Sequence, residues 1–149
     1  MRLFFGFFVL CFAFAGATAN AQLMPYEDYD ISDAVWEVAT VKVKPGATNH
    51  YLEGLKATWV SGMEVSKKLG HIESYGIYQT MTDAGEFNMQ LVTKYKSLAD
   101  MAPSKAKFET FMKEFGTKKA EAGTKRAMEE YPELREITGS YIMHRIDIK

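Results

Sequence analysis

The 149-residue chain has very little cysteine: a single residue, Cys11, which lies in an apolar segment near the N-terminus. One cysteine cannot build an internal disulfide framework. If the N-terminal segment is removed on export, the remaining protein has no thiol nucleophile either. The fold must then be stabilised by an ordinary hydrophobic core, and a chain of this length can bury one.

An excess of positive charge is also missing, since 18 Lys and Arg residues stand against 19 Asp and Glu residues. Proteins that bind nucleic acid need a basic surface, so this balance argues against a nucleic-acid partner. After residue 21 the sequence contains no apolar run of the roughly 20 residues that a membrane-spanning helix requires. We therefore expect no membrane segment in the exported protein.

Residues Met1–Ala21 have the three features of a secretory signal peptide. Arg2 supplies a positive charge, Leu3–Ala15 is an uncharged apolar run, and Ala19-Asn20-Ala21 places alanine at both positions that signal peptidase recognises. The apolar run is too short for a membrane anchor. The sequence predicts cleavage between Ala21 and Gln22 and an exported protein, periplasmic or secreted.

The first half of the remaining chain predicts an arm, a strand and a helix. Residues Gln22–Asp33 are acidic and without periodicity, which indicates a loosely packed N-terminal arm. Ala34–Lys44 is rich in β-branched residues and predicts a strand that ends at Pro45-Gly46. Tyr51–Leu69 carries one apolar helical stripe and is followed by Gly70, a residue that commonly terminates helices.

The second half predicts a hairpin, a helical region and a last strand. His71–Thr82 and Phe87–Lys96 alternate in polarity around the turn sequence Asp83–Glu86. A helical region starts near Ser97, is interrupted at Pro103 and ends at Pro132. Its stripe at helical spacing is expected to face the core: Phe108, Phe111, Met112 and Phe115. Ser140–Ile148 predicts the final strand.

The order β-α-β-β-α-β predicts an α+β, ferredoxin-like domain over residues 34–149, with a four-stranded antiparallel sheet and both helical regions on one face. The strands carry apolar residues on both faces; on the first strand Trp36 and Val38 oppose Val35 and Val41. The face without helices therefore needs a second cover. We expect a homodimer in which two sheets pack together.

Four features along the chain resemble the dimeric α/β-barrel superfamily: the strand ending VKVKPG at Val41–Gly46, the helix that carries Trp59, Gly70 before the next strand, and a second long helical region before the last strand. The closest resemblance is to its antibiotic-biosynthesis-monooxygenase, NIPSNAP and EthD-like groups. The resemblance implies a barrel shared by two protomers, with a pocket in each between sheet and helices. It implies no single activity.

The resemblance also bears on cofactors. The haem-degrading members use an Asn on the first strand, a Trp, and a His on the second long helix. This chain offers Glu37 or Ala39 on the first strand, and Ser104–Tyr131 contains no histidine. His71 and Glu73 share a strand face, but no third donor accompanies them, and a metal site needs at least three. We predict neither a cofactor nor a metal.

The sequence leaves three functions open. The first is binding of a small apolar or aromatic molecule between sheet and helices, by candidates on the hairpin and its neighbours: Trp59, Tyr75, Tyr78, Asn88, Gln90 and Arg145. The second is cofactor-independent oxygenation of a phenolic substrate, which needs a base, Glu37 or His144, and a hydrogen-bond donor for the anion, Tyr75, Asn88 or Arg145. The third is a structural or stress-associated dimer with a filled core, whose tyrosines and glutamine only stabilise strand pairs.

Overall fold

The computed structural model describes residues 22–82 and 85–149. The predicted signal peptide lies outside these residues, as do Asp83 and Ala84 of the predicted hairpin turn. No helix in the described part combines the length and the apolar character that crossing a membrane requires.

Four antiparallel strands form one sheet in the order β2-β3-β1-β4. They are β1 (Tyr29–Val43), β2 (Ser74–Gln79), β3 (Met89–Tyr95) and β4 (Arg135–Ile148). Between β1 and β2 lie α1 (Thr48–Leu55), a π-helical turn (Lys56–Val60) and α2 (Ser61–Lys68). Between β3 and β4 lie α3 (Leu98–Met101), α4 (Lys105–Phe115), α5 (Thr117–Glu129) and α6 (Tyr131–Leu134). The predicted α+β, ferredoxin-like fold is confirmed.

Local chemistry explains where the helices stop and start. The chain leaves α2 through Gly70, at a φ of 71°, and α4 is separated from α5 by Gly116, at a φ of 89°. Glycine adopts this left-handed backbone without steric cost. Helix α4 begins after Ser104, whose hydroxyl accepts a hydrogen bond from the amide of Lys107 at 3.1 Å.

The predicted N-terminal arm is wrong at its C-terminal end, because β1 begins at Tyr29 and not at Ala34. Residues Tyr29–Ile31 pair with Ile146–Ile148 of β4. This pairing supplies backbone hydrogen bonds from the far end of the chain, and such a partner overrides an unfavourable local composition. Strand β4 is likewise longer than predicted and begins at Arg135.

The core lies between the sheet and helices α1 and α6. Alternate β1 residues, among them Val41 and Val43, face the helices, while Trp36, Val38 and Thr40 face the opposite way. The buried core cluster joins strand and helix residues: Val41, Val43, Tyr51, Leu55, Met89 and Tyr131. The face of the sheet that bears Trp36 is hereafter called the open face, and none of its residues belongs to the described core cluster.

The predicted core stripe of α4 is only partly confirmed. Phe108 is 64% exposed, and no α4 side chain is fully buried. Helix α4 packs against α2 and α5, so its apolar side chains meet other helices and lie one layer away from the sheet. Phe111 and Phe115 stack on each other at 5.1 Å and turn toward the space between the helices and the sheet.

Candidate functional site

A cavity of about 410 Å³ lies between the sheet and the helices. Its floor is Leu91 of β3, one wall is the α1–α2 segment, and the other walls come from α4, α5 and the start of β4. Most of its lining is apolar or small: Leu55, Trp59, Gly62, Met63, Leu91, Phe111, Phe115, Ala120, Gly123 and Ala127. The volume falls in the range of about 300–1,000 Å³ that is typical of small-molecule sites.

Trp59 lies at the centre of this region, in the π-helical turn Lys56–Val60. Such turns are rare and occur frequently at functional sites. The indole packs edge-on against Tyr75, with ring centroids 5.4 Å apart. Trp59, Met63 and Leu91 also line a second cavity of about 340 Å³, which adds Glu37 to the lining. The structure therefore brings together two predicted site residues, Trp59 and Glu37.

Glu37 is held by Tyr95, whose hydroxyl donates a hydrogen bond to Glu37 Oε2 at 3.0 Å. Burial, followed by the neighbouring Glu37 carboxylate, raises the pKa of Tyr95 to about 12. Tyr95 therefore remains a neutral donor at ordinary pH. One carboxylate oxygen of Glu37 is committed to this bond, and the other is available to a molecule in the second cavity.

Tyr75 shares the helix-facing side of the sheet with Glu37, through the pairing of both residues with Thr93. Its hydroxyl donates a short hydrogen bond to Glu64 Oε1 on α2. This bond is the main reason why the pKa of Tyr75 is raised. The side chain ties β2 to α2 and supports the Trp59 indole.

Besides Arg145, three predicted ligand-binding residues lie away from Trp59: Tyr78, Asn88 and Gln90. Tyr78 pairs with Gln90, and Gln90 with Thr40, so both project from the open face. Asn88 bonds the backbone of Val43 twice: its Oδ1 accepts from the Val43 amide at 2.8 Å and its Nδ2 donates to the Val43 carbonyl at 2.9 Å. These two bonds continue the β1–β3 ladder and give Asn88 a structural role.

His144 and Arg145 lie near the end of β4. His144 pairs with Val35 of β1, and Arg145 forms an ion pair with Asp147 at 2.9 Å. With Trp36 and Met143 they line another cavity, of about 330 Å³, which shares no lining residue with the cavities at Trp59. The structure does not join Arg145 to the Trp59 site. In the described part of the chain, no three His, Cys, Asp or Glu side chains are grouped to hold a metal ion.

The polar end of the main cavity contains residues that the sequence analysis did not identify. Tyr51 packs edge-on against Tyr131 at 5.2 Å. The Thr58 hydroxyl donates to the Gly54 carbonyl at 3.0 Å, so it must accept the 2.6 Å hydrogen bond from the Tyr131 hydroxyl. Arg135 also lines the polar end of the cavity. The four-residue spacing of Tyr51, Leu55 and Trp59 was the one available signal, and it locates Tyr51 on the cavity-facing side of the helix.

No protein-family model and no curated protein sequence matches the chain. Several solved structures do. A protein from Shewanella oneidensis is 17% identical, with a TM-score of 0.50, over 80% of this chain and 99% of that one. A NIPSNAP family protein of unknown function from Agrobacterium tumefaciens is 18% identical, with a TM-score of 0.52, over 82% and 96%. A dimeric ferredoxin-like protein of unknown function from Bacteroides fragilis is 14% identical, with a TM-score of 0.39, over 80% and 100%. The predicted resemblance to the NIPSNAP fold is thereby confirmed.

Proposed function

We propose that this chain is an exported protein that binds a small apolar or aromatic molecule in the cavity between its sheet and its helices. The observation that carries the proposal is the cavity itself, about 410 Å³ in volume and lined by Trp59, Met63 and Phe111. Burying a ligand against such a lining is favourable because both surfaces leave water. A core filled by Trp59, Phe108 and Phe111 would have left no such space.

Filling the cavity tests this proposal. Gly123 of α5 lines it, and a Cβ placed there meets only the Thr58 side chain, at 3.6 Å. Gly123→Leu therefore projects a side chain into the cavity without breaking the helix. The matched control is Ala122→Leu, because Ala122 is exposed and does not line the cavity. We expect native mass spectrometry of protein purified from its own source to show a bound small molecule. That molecule should be lost in Gly123→Leu and kept in Ala122→Leu, and equal occupancy in both variants would refute the assignment.

Export is tested separately at the N-terminus. Protein recovered from the periplasm or the medium should begin at Gln22, because the Ala19-Asn20-Ala21 sequence favours cleavage there. N-terminal sequencing measures this directly. A recovered protein that still begins at Met1 would contradict the proposed leader.

We further propose that the protein functions as a homodimer through the open face and β4. Tyr141, Met143 and Tyr78 on this face are 53%, 48% and 60% exposed. The Tyr141 ring lies so close over Gly139 that an added Cβ would come within 2.7 Å of it, and the Tyr78 ring lies over Gly76 in the same way, at 3.0 Å. Both rings therefore lie flat on the sheet, and a flat aromatic surface suits a second sheet better than solvent.

Light scattering at micromolar concentration tests the dimer. Met143→Glu places a charge on the open face and should shift the protein toward monomer. Met128→Glu changes an equally apolar but 73% exposed residue of α5 and should leave the dimer intact. A monodisperse wild-type monomer would overturn the proposal.

Cofactor-independent oxygenation stays a second candidate because Glu37 faces the cavity that contains Trp59. Its free carboxylate oxygen is placed to accept a proton from a phenolic ligand. Once a phenolic substrate is found, Glu37→Gln should abolish its turnover while leaving its binding in place. An unchanged rate in Glu37→Gln would exclude Glu37 as the base.

A further inference from the structure

Arg135 is the one charged side chain among the described residues that line the main cavity. It is the first residue of β4 and pairs with Val43, on the face of the sheet that the helices cover. Its position is set from both sides. The amide of Lys44 donates to the Leu134 carbonyl at 2.9 Å, and the Arg135 guanidinium lies 5.5 Å from the centre of the Tyr131 ring.

Among the described residues, no acidic side chain pairs with the Arg135 guanidinium. In the described part of the chain, no carboxylate oxygen lies within 4.0 Å of it, and Glu133 and Glu130, the nearest glutamates in sequence before it, pair with Lys44 and with Arg126. The Arg135 Nε is buried and lacks a hydrogen-bond acceptor within the described ranges 22–82 and 85–149. Arg135 is half-buried, and holding its Nε out of water without an acceptor costs free energy that an anion bound here would recover.

The neighbours of Arg135 favour an anion of a particular kind. Burial raises the pKa of the Tyr51 phenol, and the positive charge of Arg135 and a hydrogen bond from its side chain oppose this rise only in part, so Tyr51 stays neutral. One guanidinium and one phenol suit a singly charged, planar carboxylate, which accepts two hydrogen bonds from an arginine. A phosphate with nearly two charges usually recruits several cations or a helix N-terminus, and the described lining of this cavity contains no second cation.

Away from Arg135 the lining becomes apolar, through Leu55, Trp59, Leu91 and Phe115. We infer that Arg135 is the anion-recognition residue of the cavity and that its ligand is a hydrophobic monocarboxylic acid, with the carboxylate on Arg135 and Tyr51 and the apolar body against Trp59. This inference rests on the proposed ligand-binding function and names the substrate class of the same site.

Matched probes separate the contribution of the carboxylate from that of the apolar body. Decanoate and 1-decanol share a chain length and differ in the charged group. Naphthalene-1-acetate and its methyl ester form the corresponding aromatic pair. Binding is measured by isothermal titration calorimetry on the full chain expressed with its leader. The wild type should bind at least one acid about tenfold or more tightly than its neutral counterpart, the size expected for hydrogen bonds to a charged group.

Arg135→Gln should remove this preference while leaving the affinity for the neutral counterpart unchanged. Arg135→Lys keeps the positive charge but loses the planar guanidinium, so it should retain part of the preference for the acid. Arg145→Gln removes an exposed arginine of the same strand and should change neither affinity. The thermal midpoint of unliganded Arg135→Gln should not fall, because the variant loses a half-buried charge that has no acidic partner among the described residues. Should Arg135→Gln fail to fold, the acid preference in the wild type and its decrease in Arg135→Lys decide the question.

The failures are distinguishable. If both members of a pair bind and Arg135→Gln leaves their affinity ratio unchanged, the role of Arg135 is refuted while the ligand-binding function stands. If the neutral counterparts bind as tightly as the acids in the wild type, the carboxylate assignment is refuted. If neither acid nor neutral probe binds, and the protein from its own source carries no ligand, the proposed function fails and the role of Arg135 fails with it.

Discussion

Two glycines on consecutive helical segments, Gly54 of α1 and Gly62 of α2, should respond in opposite directions to the same substitution. Both are buried. Replacing glycine with alanine inside a helix ordinarily stabilises it by about 0.5–1 kcal/mol, since alanine has less backbone freedom to lose on folding. At Gly62 the nearest atom to an added Cβ is Phe111 Cζ at 3.7 Å, an ordinary contact. Gly62→Ala should therefore raise the free energy of unfolding by about 0.5–1 kcal/mol.

At Gly54 the added methyl group collides with Tyr131. Its Cβ would lie 2.9 Å from Cε1 and 3.1 Å from the hydroxyl oxygen of that ring, well inside the optimal carbon–carbon separation of about 3.5–4.0 Å. The ring cannot easily withdraw, because its hydroxyl is bonded to Thr58 and its face is packed against Tyr51. Overpacking of this kind costs about 1–3 kcal/mol. Since this exceeds the gain in helix propensity, Gly54→Ala should be destabilising by about 1 kcal/mol.

Urea and thermal unfolding at one fixed protein concentration measure the difference, and the fixed concentration matters because a dimer's midpoint depends on it. A separation of roughly 2 kcal/mol between the two variants corresponds to roughly 5 °C in midpoint for a chain of this size. The Tyr131→Phe substitution removes the hydrogen bond that holds the ring to Thr58. In that background, Gly54→Ala should lower the free energy of unfolding by less. If Gly54→Ala stabilises the protein as much as Gly62→Ala does, Tyr131 is not wedged against α1 and the packing described for this end of the cavity is wrong.

Two further predictions concern residues that the sequence analysis linked to the site. The folded-state pKa of Tyr95, about 12, lies above the value of about 10 for an unfolded tyrosine, so the free energy of unfolding should fall as pH rises from 10 to 12. Unfolding at pH 9 and 11 should show a loss of about 1–2 kcal/mol in the wild type and a smaller one in Tyr95→Phe; equal losses would contradict the Glu37–Tyr95 contact. Asn88→Ala should lower the free energy of unfolding by about 1–3 kcal/mol, because it leaves the backbone amide and carbonyl of buried Val43 without their partners. Its ligand affinity should match the wild type in calorimetry, and a large loss of affinity with stability intact would restore Asn88 as a binding residue.

Element order was predictable because several element boundaries carry a local signal. Pro45-Gly46 ends β1, Gly70 ends the first helical region, and Pro103 interrupts the second between α3 and α4, each through backbone preferences that operate without tertiary contacts. The extension of β1 to Tyr29 has no such signal. Its partner is the other end of the chain, and sequence patterns do not reveal which distant strand will supply the ladder.

The residues of the site were predictable only in part. The sequence shows which strand residues share a face, but not which face the helices cover. Alternation alone separates Tyr75 from Tyr78, because side chains at odd spacing along a strand point to opposite faces. The register then determines which of them meets the helices, and it places Tyr75 beside Trp59 and Tyr78 on the open face. Glu37 follows the same rule, since it pairs with Thr93 directly opposite Tyr75. The sequence therefore named three residues that the structure brings together, Trp59, Tyr75 and Glu37, but could not separate them from Tyr78 and Gln90.

Arg135 could not have been identified from the sequence. The sequence around an arginine does not show whether its guanidinium will form an ion pair with a carboxylate. Three glutamates lie within five residues of it, at Glu130, Glu133 and Glu136, and a surface arginine in such company would normally be paired. Two of the three are drawn outward to Arg126 and Lys44, while the β1–β4 register turns Arg135 inward beside Val43. Its lack of an acidic partner thus arises from the register of one strand pair together with ion pairs made elsewhere. A shift of β4 by one residue would turn Arg135 to the open face, and the cavity would lose the one charged group that its described lining supplies.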